Sequence, residues 1–184
     1  EHATQLYEEV RQKVADFVGA EKKGEIVFTS GTTQAINLVA HSFGKRFVNE
    51  GDEIVISNIE HHANIVPWQV LCEERGAKLK VIPVDDDGEL VMEEYEKLLS
   101  PKTRMVAVNH VSNALGTINP IKEITQKAHA VGARVLIDGA PSTPHVQLAV
   151  RDISWDFYTF SGHKMYGPSG IGGVYGKMEV WEEM

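Results

Sequence analysis

Near one end of this 184-residue chain a lysine lies in the run Ser161-Gly162-His163-Lys164-Met165-Tyr166-Gly167-Pro168. The run before it, Trp155-Asp156-Phe157-Tyr158-Thr159-Phe160, reads as a buried strand. A lysine just past a strand, among small and polar residues, can be held over a pocket. There its amine can lose a proton and attack a carbonyl carbon. Taken alone, such a lysine is ordinary surface charge. The company it keeps gives it more weight.

Three further segments carry polar groups directly after apolar runs. Arg134-Val135-Leu136-Ile137-Asp138-Gly139-Ala140 reads as a strand ending in an acid. Thr29-Ser30-Gly31-Thr32-Thr33-Gln34 opens a helix after the strand Ile26-Val27-Phe28. Asn58-Ile59-Glu60-His61-His62-Ala63-Asn64 follows the strand Glu53-Ile54-Val55-Ile56-Ser57. Ligands of open α/β sheets bind outside the carboxyl ends of the strands, so these groups are placed to converge. Each also has a plainer role. Asp138 would serve as a turn residue bonding backbone amides. The threonines are common helix N-caps, and His163 would be a loop histidine with a structural hydrogen bond. Asn113 would be a turn residue ahead of Gly116. Adjacent His61 and His62 invite a metal reading, but no Cys or Asp cluster accompanies them at ligand spacing, so no metal is expected.

Together the runs Phe28 to Leu38, Glu60 to Gln69, His110 to Asn119, Ile137 to Ala140 and Phe157 to Tyr175 resemble the pyridoxal-phosphate-dependent cysteine desulfurases. The likeness is to the SufS-like branch that includes selenocysteine lyases, within the class-V aminotransferases of fold type I. It spans essentially the whole chain, and SGHK followed by YGPSGIGG is its most specific part. The resemblance implies that Lys164 forms the covalent link to pyridoxal 5'-phosphate and then moves protons at the substrate's alpha carbon. Asp138 would hold the protonated pyridine nitrogen. Thr32, Thr33, Ser161 and His163 would hold the phosphate, at a helix start suited to an anion. His61 would stack on the ring, with a proton-exchange role open to it. Asn113 would bond the phenolic oxygen.

The implied reaction converts L-cysteine to L-alanine and a protein-bound persulfide, supplying sulfur to iron–sulfur clusters. Two alternatives stand beside it. One is a cofactor-binding or structural piece without activity; the other is a selenocysteine lyase or related β-eliminating enzyme. A homodimer and a sulfur-acceptor protein are also implied. Two positions depart from the family pattern. Pro141 stands where a glutamine normally follows the DGA run, and it has neither a side-chain donor nor a backbone N–H. Gln34 stands where many relatives carry an acid. The only cysteine, Cys72, lies in the helical run Val70-Leu71-Cys72-Glu73 and matches no nucleophile motif, reading instead as a half-buried helix residue. The expected arrangement is therefore a single large cofactor-binding domain over 1–184. It would be cut at both ends, without the N-terminal arm and without the small C-terminal domain, the latter being where the family carries the nucleophilic cysteine and the carboxylate-gripping arginine.

These residues need a scaffold, and its elements are legible. Leu6, Val10, Val14, Phe17 and Val18 predict a helix over 4–19. Thr33 to Val48 reads as one helix, and a further helix runs to Arg75, stopped by Gly76. Lys78 to Val84 reads as a strand, Asp85-Asp86-Asp87-Gly88 as a turn and Met92 to Leu99 as a helix. Arg104 to Val108 is a strand, Ile121 to Val131 a helix and Arg134 to Ile137 a strand. Two strands over 153–176 flank the lysine loop, and Met178 to Met184 is helical. Alternating strands and helices predict an α/β fold of three layers, a mostly parallel sheet with helices on both faces. Length and 42% hydrophobic content suffice for one substantial core. Net charge of −8 argues against nucleic acid. No run approaches the ~18 apolar residues of a membrane span. The polar start and single cysteine predict a cytoplasmic setting.

Overall fold

Seven short runs rich in β-branched and aromatic residues form the strands. They are β1 (Ile26–Thr29), β2 (Glu53–Ser57), β3 (Lys78–Ile82), β4 (Thr103–Asn109), β5 (Arg134–Asp138), β6 (Phe157–Ser161) and β7 (Gly172–Gly176). The helices are α1 (His2–Val18), α2 (Thr32–Val39), α3 (Lys45–Phe47), α4 (Val66–Arg75), α5 (Met92–Leu98), α6 (Ile121–Ala130), α7 (Val150–Ile153) and α8 (Met178–Glu183). This computed structural model describes residues 1–146 and 150–184. The strands form one sheet in the order β1-β7-β6-β5-β4-β2-β3. All pairings are parallel except those of β7, which lies antiparallel to both β6 and β1. Strand β1 therefore runs the same way as β6, and six strands end on one edge.

The expected three layers are present. Alternate strand residues enter two different cores, as the two-residue period of a strand requires. Val55, Val106, Val108, Val135, Ile137 and Tyr158 pack with Ala15 and Val18 of α1, Tyr95 of α5 and Ile124 of α6. Ile54, Ile56, Met105, Ala107, Leu136 and Phe157 pack with Ile36 of α2, and with Trp68 and Leu71 of α4. Coverage on both faces explains why β2, β6 and β7 are buried along their whole length. Among the described residues, no helix is long and apolar enough to cross a membrane.

Three local differences have physical causes. The helix expected over Thr33 to Val48 is broken by a π-type turn, Ala40–Gly44, before α3. Leu71 presses on that turn so closely that a Cβ at Gly44 would lie 2.3 Å from its Cδ2. Strand β3 stops at Ile82 because Pro83 has no N–H for the ladder. Val84 then makes only an isolated bridge to Leu90. The short helix α7 had no counterpart in the sequence pattern; Val150 anchors it in the first core.

Close backbone approach shapes the sheet edge. Gly139, just past β5, packs on the Tyr158 ring, and a Cβ there would lie 2.0 Å from Cζ. The Tyr158 hydroxyl meets Thr143 Oγ1 at 2.8 Å and Ser142 Oγ at 3.1 Å, so the ring holds the whole turn after Asp138. Gly139→Ala should therefore lower stability by about 1–3 kcal/mol or more, the usual cost of overpacking. Urea titration checks this; an unchanged midpoint would show that the turn can yield.

Candidate active site

Of the six strand ends on that edge, five, those of β1, β2, β4, β5 and β6, deliver their residues to one place. Asp138 ends β5 beside its register partner Asn109 at the end of β4. Ser161 ends β6, and a short 3-10 turn, Gly162–Lys164, carries His163 and Lys164 onward. A Cβ at Gly172, the β7 partner of both Ser161 and Thr29, would lie 2.7 Å from Gly31 Cα. Only a residue without a side chain lets the start of α2 approach the end of β6 so closely. The result is an open cleft of about 180 Å³ lined by Thr32, Thr33, His61, Ala63, Asn113, Asp138, Ala140, Pro141, Ser161, His163 and Lys164. All eight residues singled out from the sequence line it. His62 does not.

The electrostatics are those of a buried acid beneath exposed bases. Asp138 is 3% exposed. Burial raises its carboxyl pKa, while the Ala140 amide, Lys164 and His61 act in the opposite direction. Its described hydrogen bond is from the Ala140 N–H to Oδ1, 2.9 Å, which leaves acceptor capacity toward the cleft. Lys164 and His61 are both exposed at the cleft surface. The His61 Nδ1 accepts the Ala63 N–H at 3.1 Å, so the neutral ring carries its proton on Nε2.

At the other end of the cleft, no side chain caps α2. The Thr32 N–H donates to Ser161 Oγ at 2.9 Å, and the two hydroxyls lie 2.9 Å apart. No described partner takes the Thr33 and Gln34 amides in the first helical turn. Free amides, hydroxyls and a helix N-terminus suit a phosphate. Gln34 bonds the Ser30 N–H through Oε1 at 2.6 Å, which bridges the loop entering this turn. Pro141 adds a ring to the cleft wall but no donor. The buried acid, the exposed amine and this cradle are the donor set a pyridoxal phosphate needs: a partner for ring N–H, an amine for the aldehyde and donors for the phosphate.

The Cys72 thiol points into the second core, and burial pushes it up to about 11. It is therefore a packing residue and no thiolate near neutrality.

Sequence reasoning passed over Glu60. It is buried beside His61, and its carboxyl accepts from Asn64 Nδ2 at 2.8 Å and the Asn109 N–H at 2.9 Å, with the Ser57 hydroxyl also in contact. The signal was present in the run: an acid one residue past a turn, with an asparagine four positions on. Burial pushes Glu60 up to about 8 against the pull of these bonds. An unfolded glutamate titrates near 4.5. Between those values the folded chain keeps a proton that the unfolded chain has released, so this term weakens stability as pH rises from 4.5 to 8. Asp138 acts with the same sign. Glu60→Gln should make the fall in stability between pH 5 and pH 8 shallower, read from urea midpoints. Equal slopes in both proteins would place the titration elsewhere.

The model of the aminotransferase class-V family matches residues 1–184. A cysteine desulfurase of Dickeya dadantii (strain 3937) is 56% identical over 182 residues, covering 99% of this chain and 44% of that protein. The crystal structure of the cysteine desulfurase CsdA from Escherichia coli matches with a TM-score of 0.95 at 39% identity, covering 98% of this chain and 45% of that one. A structure of a C-DES variant, with glycine covalently linked to its PLP cofactor, matches with a TM-score of 0.88 at 27% identity, covering 100% of this chain and 48% of that one. The chain spans less than half the length of the curated relatives it matches. On a family model that takes in every residue, on the fold and on the identity to these relatives, the chain belongs to the class-V aminotransferase family.

Proposed function

We propose that these residues form the cofactor-binding part of a pyridoxal-phosphate-dependent cysteine desulfurase. The observation that carries this is the single cleft uniting Lys164, Asp138, His61 and Asn113 with the open first turn of α2. The relatives named for cysteine support that substrate over selenocysteine. When bound, pyridoxal phosphate supplies an electron sink for charge developing at the substrate's alpha carbon.

The chain's own residues do the rest. Lys164 would hold the cofactor through its Nζ, and its amine would move the proton at the substrate's alpha carbon. Asp138 would hold a proton at the ring nitrogen, and its burial would strengthen that pairing. His61 would stack on the ring, and the Asn113 amide would donate to the phenolic oxygen. Thr32, Thr33, Ser161 and His163 would hold the phosphate. A desulfurase must also pass sulfur to a thiolate, and the buried Cys72 is unsuited to this. We therefore assign the accepting cysteine to sequence outside these 184 residues. Transfer onward to an acceptor protein for iron–sulfur clusters, a homodimer and a cytoplasmic setting complete the proposal. Exposed Leu115, Ile118 and Tyr166, close in sequence to Asn113 and Lys164, favour a partner surface near the cleft.

Incubation with pyridoxal phosphate should give a visible absorption band, and borohydride reduction followed by peptide mapping should place the label on Lys164. Lys164→Ala should abolish the band. A label spread over surface lysines, or a band that survives the substitution, would overturn the assignment. Pro141→Gln adds a donor to the cleft wall and should tighten pyridoxal phosphate binding about fivefold, the worth of one hydrogen bond near 1 kcal/mol. An unchanged affinity would show that the missing donor costs nothing.

A further inference from the structure

Trp68, Asn64, Glu60, Asn109 and Asn119 form one buried series of polar groups, none more than 9% exposed. Its direction is set at one end by Trp68, whose indole can only donate. Trp68 Nε1–H donates to Asn64 Oδ1 at 2.9 Å, which turns Asn64 Nδ2 toward Glu60 Oε2 at 2.8 Å. From the other side the Asn109 N–H donates to Glu60 Oε1 at 2.9 Å. Asn109 Nδ2 holds the Ile59 carbonyl at 2.6 Å, and Asn119 Nδ2 holds Asn109 Oδ1 at 2.5 Å.

Donors thus arrive at both oxygens of residue 60, and only a carboxyl can receive them. A glutamine there would set N–H against N–H. Turning Asn64 over would only move the conflict to Trp68. The series also joins two pieces of the cleft. Glu60 precedes His61, and Asn109 and Asn119 bound the hairpin that carries Asn113, closed by the Val111–Ile118 bridge.

We propose that Glu60 is a positioning residue: its carboxyl locks the His61 segment and the Asn113 hairpin into one frame around the cofactor ring. The proposal rests on the pyridoxal phosphate reading for its purpose, though not for its geometry.

Three proteins test it: wild type, Glu60→Gln, and the double variant Glu60→Gln with Asn64→Asp. In the double variant the carboxylate introduced at position 64 accepts both from Trp68 and from the new amide at position 60. This restores the order of donors and acceptors and keeps one carboxyl group in the series. The first readout is the ¹⁵N spectrum of the His61 ring in the chain without cofactor. Wild type should show the Nε2–H tautomer, Glu60→Gln a mixture, and the double variant the wild-type pattern. The second readout is affinity for pyridoxal phosphate. It should fall about tenfold or more in Glu60→Gln, as expected for an unpaired buried donor, and largely recover in the double variant. General loss of packing would not be repaired by a second substitution. A folded Glu60→Gln with the wild-type His61 spectrum and affinity would overturn the proposal. So would a folded double variant no better than the single one. If Glu60→Gln does not fold, recovery in the double variant supports the proposal and a scrambled His61 in it refutes the role. Should wild type bind no pyridoxal phosphate, the functional reading falls while the His61 spectra still decide the role of Glu60.

Discussion

Six strands of one sheet run the same way, and their carboxyl ends meet at one edge. Nearly every property of the cleft descends from that constraint. Parallel strands return through helices, so each strand end is followed by a loop free to carry a polar group. The central strands are sealed by helices on both faces, so those loops are where polar groups can reach solvent. Asp138 and Asn109 are register partners, which fixes the acid against the segment that pins the His61 loop.

The site is assembled from two kinds of region. Below it lies a dry frame: Asp138, Glu60, Asn109 and the Tyr158 hydroxyl are all buried and held by named partners. Above it stand Lys164, His61 and Asn113, exposed on short turns. Rigidity beneath and access above is the arrangement expected where a ligand must be oriented by fixed groups yet exchanged. Buried polar groups are costly unless satisfied, so the frame is also where a substitution should be felt most.

Much of the site could be read along the chain because its chemistry is local. Lys164, Asp138, Thr32 and His61 each lie at or a few residues past a strand end, and strands announce themselves by apolar runs. Other features could not be read this way. The helix read over Thr33 to Val48 appeared continuous because nothing in its own residues reveals Leu71 pressing on Gly44. Glu60 went unassigned because Asn109, the partner that ties it to the sheet, lies 49 positions away. Gly139 gave no sign that a tyrosine 19 positions later would lie beneath it.

The amino-acid sequence by itself determined most element types and the three-layer class, which follow from hydrophobic periodicity, a property of short stretches. The cofactor roles of its polar residues came from the resemblance of their runs to a known family. Tertiary structure alone decided that the eight residues share one cleft, that Cys72 is sealed in a core and that Glu60 receives donors from both sides. Strand order, register and close backbone approach bring together residues far apart in the chain, and these depend on how whole layers pack.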